Sequence, residues 1–431
     1  MITTACIFIP ATGPDPLSRL GGMSLLKRAV LSAQRAGAKT CYLVMDAWSE
    51  VQPARQETLQ RDLCGDKRLT IQVVWTQPTD GPAAQPAPAR TVTSGHCLYY
   101  SLATLFSPAL ACDLDRTAQP GETVSVETEC GTSALVLGPQ PDAAFGLPVQ
   151  ETAARTGTTA VAEVGRSSLR TVPASPHLLY QLTDSTSLRR AESALLASLD
   201  NLKDGLVDTY LNRKLSRPLT RFFLSTALTP NQITALSCLI GLLGAACFFQ
   251  ADYWGPVLGA LLLQLSAVID CCDGEVARMK FLESRLGAWL DITLDTVVHI
   301  ATFVGLGFAV WAQGGTQAPF VLVGLMVGGI VLSFACVVVA DRMVVPTVYQ
   351  QTWQARLLHR MVFGLASRDY SLLIFLCAVF QQLSWFLWAA AIGVQVFWLT
   401  VAVLLYHFRR LKRATHCPAR ACVQGPASRL P

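Results

Sequence analysis

The chain has 431 residues, 52% of them hydrophobic and only 15% charged, with a formal net charge of +5. That length accommodates two domains, and so small a charge excess gives no reason to expect a nucleic-acid partner. Fourteen cysteines would suggest a disulfide framework in a secreted chain. Several (Cys238, Cys247, Cys336, Cys377) lie inside apolar runs and none forms a CxxC pair, so small buried hydrophobes in a reducing cytoplasm are expected.

The N-terminal stretch MITTACIFIPATG has no basic segment before its short apolar run, and a cleaved secretory signal is not expected. A strand (TACIFIP), a helical run (MSLLKRAVLSAQRAG, closed by Gly37), a strand (CYLVMD), another helix and a strand (LTIQVVWT) follow. Strands alternating with helices predict a soluble α/β domain over 1–188 with a parallel, Rossmann-like sheet. DGPAAQPAPAR reads as a proline-rich loop, the pattern weakens beyond residue 120, and VPASPHLLYQLTDSTS (172–187) reads as a linker. Over 189–230, Leu195, Leu199, Leu202, Leu206 and Tyr210 recur at helical spacing with basic residues on other faces. This predicts an amphipathic juxtamembrane helix at the lipid headgroups, the alternative being an ordinary surface helix.

Residues 231–408 carry apolar runs of about 18 or more residues, the length that crosses a bilayer. Six membrane-spanning helices are expected, near 231–250, 254–275, 288–311, 318–340, 369–384 and 386–407. The connections QADYWG, WAQGGTQAP and QQLSW contain no Lys or Arg. The opposite connections hold Arg278, Lys280, Arg285, Arg342, Arg356, Arg360 and Arg368, and the basic tail 409–431 follows the last span. The positive-inside rule therefore predicts a cytoplasmic (inner) membrane protein with both termini inside.

The second and third spans meet at DCCDGEVARMKFLESRLGAWLDITLD (270–295), where four carboxylates interrupt an apolar pattern. With Asp270 at zero, helical periodicity puts Asp273 at about −60°, Gly274 at about +40°, Ala277 at about −20° and Arg278 at about +80°. On the next helix Gly287, Asp291 and Asp295 share a second stripe. A buried charge in a membrane costs about 2.5–3.5 kcal/mol, and crowded like charges raise one another's pKa. Divalent cations resolve both difficulties, and carboxylates on adjacent turns suit two Mg2+ or Mn2+ ions clamping a diphosphate. A further aspartate one turn on can take a proton from an attacking hydroxyl. Intramembrane carboxylates also mark ion-coupled transporters, and a catalytically silent membrane scaffold is a third possibility.

This stretch resembles the CDP-alcohol phosphotransferase family, whose pattern DxxDGxxAR, eight residues, GxxxDxxxD is matched by Asp270, Asp273, Gly274, Ala277, Arg278, Gly287, Asp291 and Asp295. The resemblance implies transfer of a phosphate-linked alcohol from a CDP-activated donor to an alcohol or phosphorylated polyol acceptor, with release of CMP. It further implies a homodimer in contact with membrane lipid, serving phospholipid or inositol-phosphate biosynthesis. By that pattern Asp270, Asp273 and Asp291 bind metal, Asp295 is the general base, and Gly274, Ala277 and Arg278 contact the nucleotide and its phosphates. Gly287 permits close approach. Arg342 and Arg368 lie where related proteins hold an acceptor phosphate, or else are positive-inside anchors. His299, one turn past Asp295, either tunes the base or forms an interhelical hydrogen bond.

The soluble half, PLSRLGGMSLLKRAVLSAQRAGAKTCYLVMD, is similar to the start of sugar-nucleotide nucleotidyltransferases. It lacks their GxGxRxxPKP loop and shows TSGHCLYY where a metal-binding Asp is expected, so a degenerate domain is implied. The pairing of two such halves resembles enzymes that make di-inositol phosphates.

Overall fold

A computed structural model describes residues 1–10, 14–45, 53–76, 96–119, 122–127, 133–139, 169–173, 178–199, 211–250, 252–314, 317–343 and 370–415. Its contacts divide the chain into two units. The first comprises Met1–Leu199 with Leu224–Thr226 and Ala277–Leu282; the second comprises Asp200–Phe223, Ala227–Val276 and Glu283–Pro431.

The first unit runs β1 (Ile2–Ile9), β2 (Arg19–Leu20), β3 (Met23–Ser24), α1 (Leu25–Arg35), β4 (Thr40–Met45), α2 (Pro53–Leu63), β5 (Gln72–Thr76), β6 (His96–Ser101), β7 (Thr104–Phe106), α3 (Pro108–Thr117), β8 (Thr123–Glu127), β9 (Ser133–Pro139), β10 (Leu169–Pro173), β11 (Leu179–Gln181) and α4 (Ser185–Ser198). Among the described residues the main sheet has the order β10-β8-β9-β6-β1-β4-β5. The strands β6, β1, β4 and β5 are parallel, while β9 runs antiparallel to β6 and β8. The unit is α/β with a mixed sheet, not the wholly parallel one that the alternation of its first elements predicts.

Strand β9 escaped the sequence pattern because Leu135, Val136 and Leu137 are all buried. A strand covered on both faces loses its two-residue alternation. Helix α1 forms where Ser24 Oγ accepts from the Lys27 N–H at 3.2 Å, and it ends at Gly37, whose φ is +110°. Leu26, Val30 and Ala33 on its inner face join Ile7, Leu43 and Leu98 in one core. Tyr100 on β6 donates to the Ala29 carbonyl of α1 at 2.7 Å, fastening helix to sheet.

The 172–187 segment is not a plain linker. Leu179–Gln181 pairs antiparallel with β7, Leu182 is buried, and Asp184 caps α4 through the Ser187 N–H at 2.7 Å. Its Pro and Ser content hid two apolar anchors. Helix α4 buries Ala191 and Leu196 within the first unit. Leu202, Leu206 and Tyr210 of the expected amphipathic stripe lie outside the described residues.

The second unit contains α5 (Arg213–Ser225), α6 (Pro230–Cys247), α7 (Trp254–Met279), α8 (Arg285–Gly314), α9 (Ala318–Met343), α10 (Tyr370–Val379) and α11 (Leu383–Thr415). The first unit takes up the end residues of α5 and α7. Among the described residues, α6, α7, α8, α9 and α11 are long and apolar enough to cross a membrane. The expected fifth span is represented by α10, only 10 residues long, which ends in a turn with Gln381 at φ +56°.

Small residues set the helix spacing. A Cβ built on Gly244 would lie 2.8 Å from the Gly259 carbonyl oxygen, and one on Gly305 would lie 2.7 Å from that of Ala245. The backbones of α6, α7 and α8 thus approach closely, as in membrane helix packing generally. Outward, Leu239, Leu243, Leu258, Val321 and Trp385 present an apolar surface.

Candidate active site

Helix α7 carries Asp270 and Asp273 in its last third, and α8 carries Asp291 and Asp295 in its first turns. The chain reverses between them through a cap in which Leu282 N–H donates to the Ala277 carbonyl at 2.8 Å. This is the bond of a helix-closing turn that ordinarily needs glycine; here Phe281 takes the left-handed position at φ +52°. Helix α8 then starts cleanly, with Ser284 Oγ accepting from the Gly287 N–H at 2.9 Å.

Asp270, Asp291 and Asp295 each offer a carboxylate oxygen, and these three atoms lie within 4.8 Å of one another. All three side chains are half-buried. Asp273 is buried, has Asp270 and Asp291 as its electrostatic neighbours, and accepts through Oδ2 from the Thr234 hydroxyl of α6. The structure therefore groups Asp295 with Asp270 and Asp291, and commits one oxygen of Asp273 to α6. Oxygen-only donors of this hardness, converging from two helices, fit Mg2+ or Mn2+.

Two residues that sequence reasoning missed hold this arrangement from behind. Thr234 meets Asp273, and Ser237, one turn along α6, lies 3.4 Å from Asp270 Oδ1 and donates to the Thr234 carbonyl at 2.8 Å. Ser266 of α7 donates in turn to the Ser237 carbonyl at 2.7 Å. The signal was present in TPNQITALS, two hydroxyls three residues apart on an apolar helix, but its meaning depends on α7 lying alongside.

Gly287 abuts α6: an added Cβ would lie 3.1 Å from Asn231 Oδ1 and 3.0 Å from Ser284 Oγ. Gly274, Ala277 and Arg278 are half-buried on α7. His299 packs edge-on against Tyr370, ring centres 5.4 Å apart, and its Nε2 has no hydrogen-bond partner among the described residues. Its interhelical contact is thus aromatic. The Arg342 side chain and the whole of Arg368 lie outside the described residues.

Residues 227–406 match the family model described as CDP-alcohol phosphatidyltransferase. The chain is 38% identical over 104 residues to a bifunctional IPC transferase and DIPP synthase of Aquifex aeolicus, covering 24% of this chain and 23% of that protein. It is 32% identical over 116 residues to a phosphatidylinositol phosphate synthase of Mycolicibacterium smegmatis, covering 26% of this chain and 50% of that protein. The matched part thus spans about a quarter to a half of these curated relatives. The crystal structure of Mycobacterium tuberculosis phosphatidylinositol phosphate synthase with CDP-DAG bound aligns over 45% of this chain and 94% of its own, at 17% identity and a TM-score of 0.33. That score is too low to carry structural detail across. Residues 227–406 thus resemble a CDP-alcohol phosphatidyltransferase domain, and in this chain they follow an N-terminal α/β unit.

Proposed function

We propose that the protein is a polytopic CDP-alcohol phosphotransferase. It moves a phosphate-linked alcohol from a CDP-activated donor to the hydroxyl of an alcohol or phosphorylated polyol, releasing CMP. The observation that carries this reading is the meeting of the Asp270, Asp291 and Asp295 oxygens, from two neighbouring helices, within 4.8 Å.

Asp270, Asp273 and Asp291 would hold two Mg2+ or Mn2+ ions. When bound, these supply the positive charge that a diphosphate needs as it is cleaved. Asp295 accepts the proton of the attacking hydroxyl at a carboxylate oxygen. The new bond forms between the acceptor oxygen and the donor's alcohol-bearing phosphorus, and the bond from that phosphorus to the bridging oxygen breaks, CMP carrying the electron pair away. Thr234 and Ser237 keep the α7 carboxylates oriented. Gly274, Ala277 and Arg278 continue the α7 stripe toward the nucleotide, Arg278 offering a fork suited to phosphate. Arg342 and Arg368 attract the acceptor's phosphate.

The domain crosses the membrane six times, with α10 completing the fifth crossing and the basic connections on the cytoplasmic side. It works as a homodimer in the inner membrane, and its relatives' names favour an inositol-phosphate acceptor. The N-terminal unit does not form CDP-alcohols itself.

The test separates ligand from base. Asp295→Asn is expected to lower CMP release from a CDP-alcohol by about 10²–10⁴-fold, far more than it weakens Mn2+ binding followed by electron paramagnetic resonance. Asp291→Asn is expected to weaken Mn2+ binding itself. Unchanged turnover in Asp295→Asn would defeat the assignment.

A further inference from the structure

One buried carboxylate in the motif has no part in the reaction just described. Glu275 follows Gly274 directly, is 1% exposed, and faces away from the other acidic groups. It lies two positions past Asp273, a turn of about 200°, and five past Asp270, a turn of about 140°. It therefore points almost opposite to the mean direction of the two aspartates.

There it meets α5. Arg213 Nη1 lies 2.9 Å from Glu275 Oε1, Ser216 Oγ donates to the same oxygen at 3.1 Å, and Thr220 Oγ1 donates to Oε2 at 2.5 Å. Arg213 is 6% exposed, and Ser216 and Thr220 are fully buried. Three donors one or two turns apart on α5 converge on one carboxylate. Beside them Cys272 Sγ lies 3.6 Å from the Ser216 carbonyl. The same six residues of α7 are pinned on their other side by Thr234 and Ser237 of α6.

We infer that Glu275 is a positioning residue for the metal-binding carboxylates: its bonds to Arg213, Ser216 and Thr220 set the rotation of α7 about its own axis. The magnitudes favour this over a purely stabilising role. A carboxylate oxygen lies roughly 5–6 Å from a helix axis, so a rotation of about 20° displaces it by about 2 Å. Metal–oxygen distances tolerate only about 0.2 Å. A buried ion pair is weak as a source of net stability, and its best-attested use is to select one arrangement among several. Hydroxyls filling the remaining lone pairs make this one directional. The inference rests on reading Asp270, Asp273 and Asp291 as a divalent-metal site.

The experiment measures Mn2+ affinity of the full-length protein in detergent by electron paramagnetic resonance of the free ion. Folding is checked by size exclusion and far-ultraviolet circular dichroism. Glu275→Gln, which sets an amide against Arg213, is expected to raise the Mn2+ dissociation constant about tenfold in folded protein. Thr220→Val, nearly isosteric and leaving the ion pair in place, is expected to raise it about threefold. If Glu275→Gln does not fold, Thr220→Val decides. Parent-like affinity in the folded variants, with only a lower unfolding temperature, overturns the positioning role and leaves the metal site standing. Failure of the parent protein to bind Mn2+ overturns both.

Discussion

Thr234 contributes one hydroxyl, and its effect can be stated in advance. It donates to Asp273, a buried carboxylate within reach of two others. Thr234→Val keeps the shape of the side chain and removes the donor. A buried acceptor left without its partner costs about 1–3 kcal/mol, and here the cost falls on a carboxylate that the proposed mechanism assigns to metal binding. The expected result is a fall of about tenfold in the rate of CMP release at saturating donor, with a higher Mn2+ requirement and an unchanged elution profile. Steady-state kinetics across a Mn2+ titration check it. The acidic residues themselves were legible from spacing alone, because helical periodicity converts intervals of three and four into a shared face. Thr234, Ser237 and Arg213 were not, since a hydroxyl or a cation on a helix announces nothing until its partner is known.

Helices α6, α7 and α8 bring the carboxylates together only because their backbones touch. A Cβ added at Gly244 would lie 2.8 Å from the Gly259 carbonyl oxygen and 3.1 Å from Leu262 Cβ and Leu263 N, none of which can give way without moving a helix. Gly324 on α9, by contrast, has open space around its Cβ position. Gly244→Val is expected to lower thermal stability sharply or abolish recovery of monodisperse protein, and to weaken Mn2+ binding in whatever folds. Gly324→Ala is expected to be neutral or slightly stabilising, since Ala exceeds Gly in helix preference by about 1 kcal/mol. Fluorescence-detected size exclusion after heating measures both. Long apolar helices were visible in the sequence because each is a local property of about 20 residues. Strands β8 to β11 were harder. They are short, some are buried on both faces, and only β9 and β11 pair back to the earlier strands β6 and β7.

The two units of the molecule differ in chemical equipment. In the first, β6 ends in Tyr100 and Ser101: the Tyr100 hydroxyl is spent on the Ala29 carbonyl and Ser101 Oγ accepts from the Ala103 N–H at 3.2 Å. Among the described residues, β6 itself ends without a carboxylate. The full-length protein is therefore expected to release CMP from a supplied CDP-alcohol, yet to form no pyrophosphate from CTP and a polyol phosphate. A coupled pyrophosphate assay alongside CMP detection checks this; pyrophosphate formation would return the first unit to catalysis. The sequence by itself determined the acidic motif, its placement at the ends of two apolar helices, and the α/β character of the N-terminal half. All of these depend on composition or on intervals within a few turns of one chain segment. Only the tertiary structure decided which carboxylates share a cluster, that Asp273 leans on Thr234 39 residues away, and that Glu275 is held by Arg213 62 residues away. Those pairings come from helices packed side by side, and no periodicity within a single helix encodes which neighbour it will face.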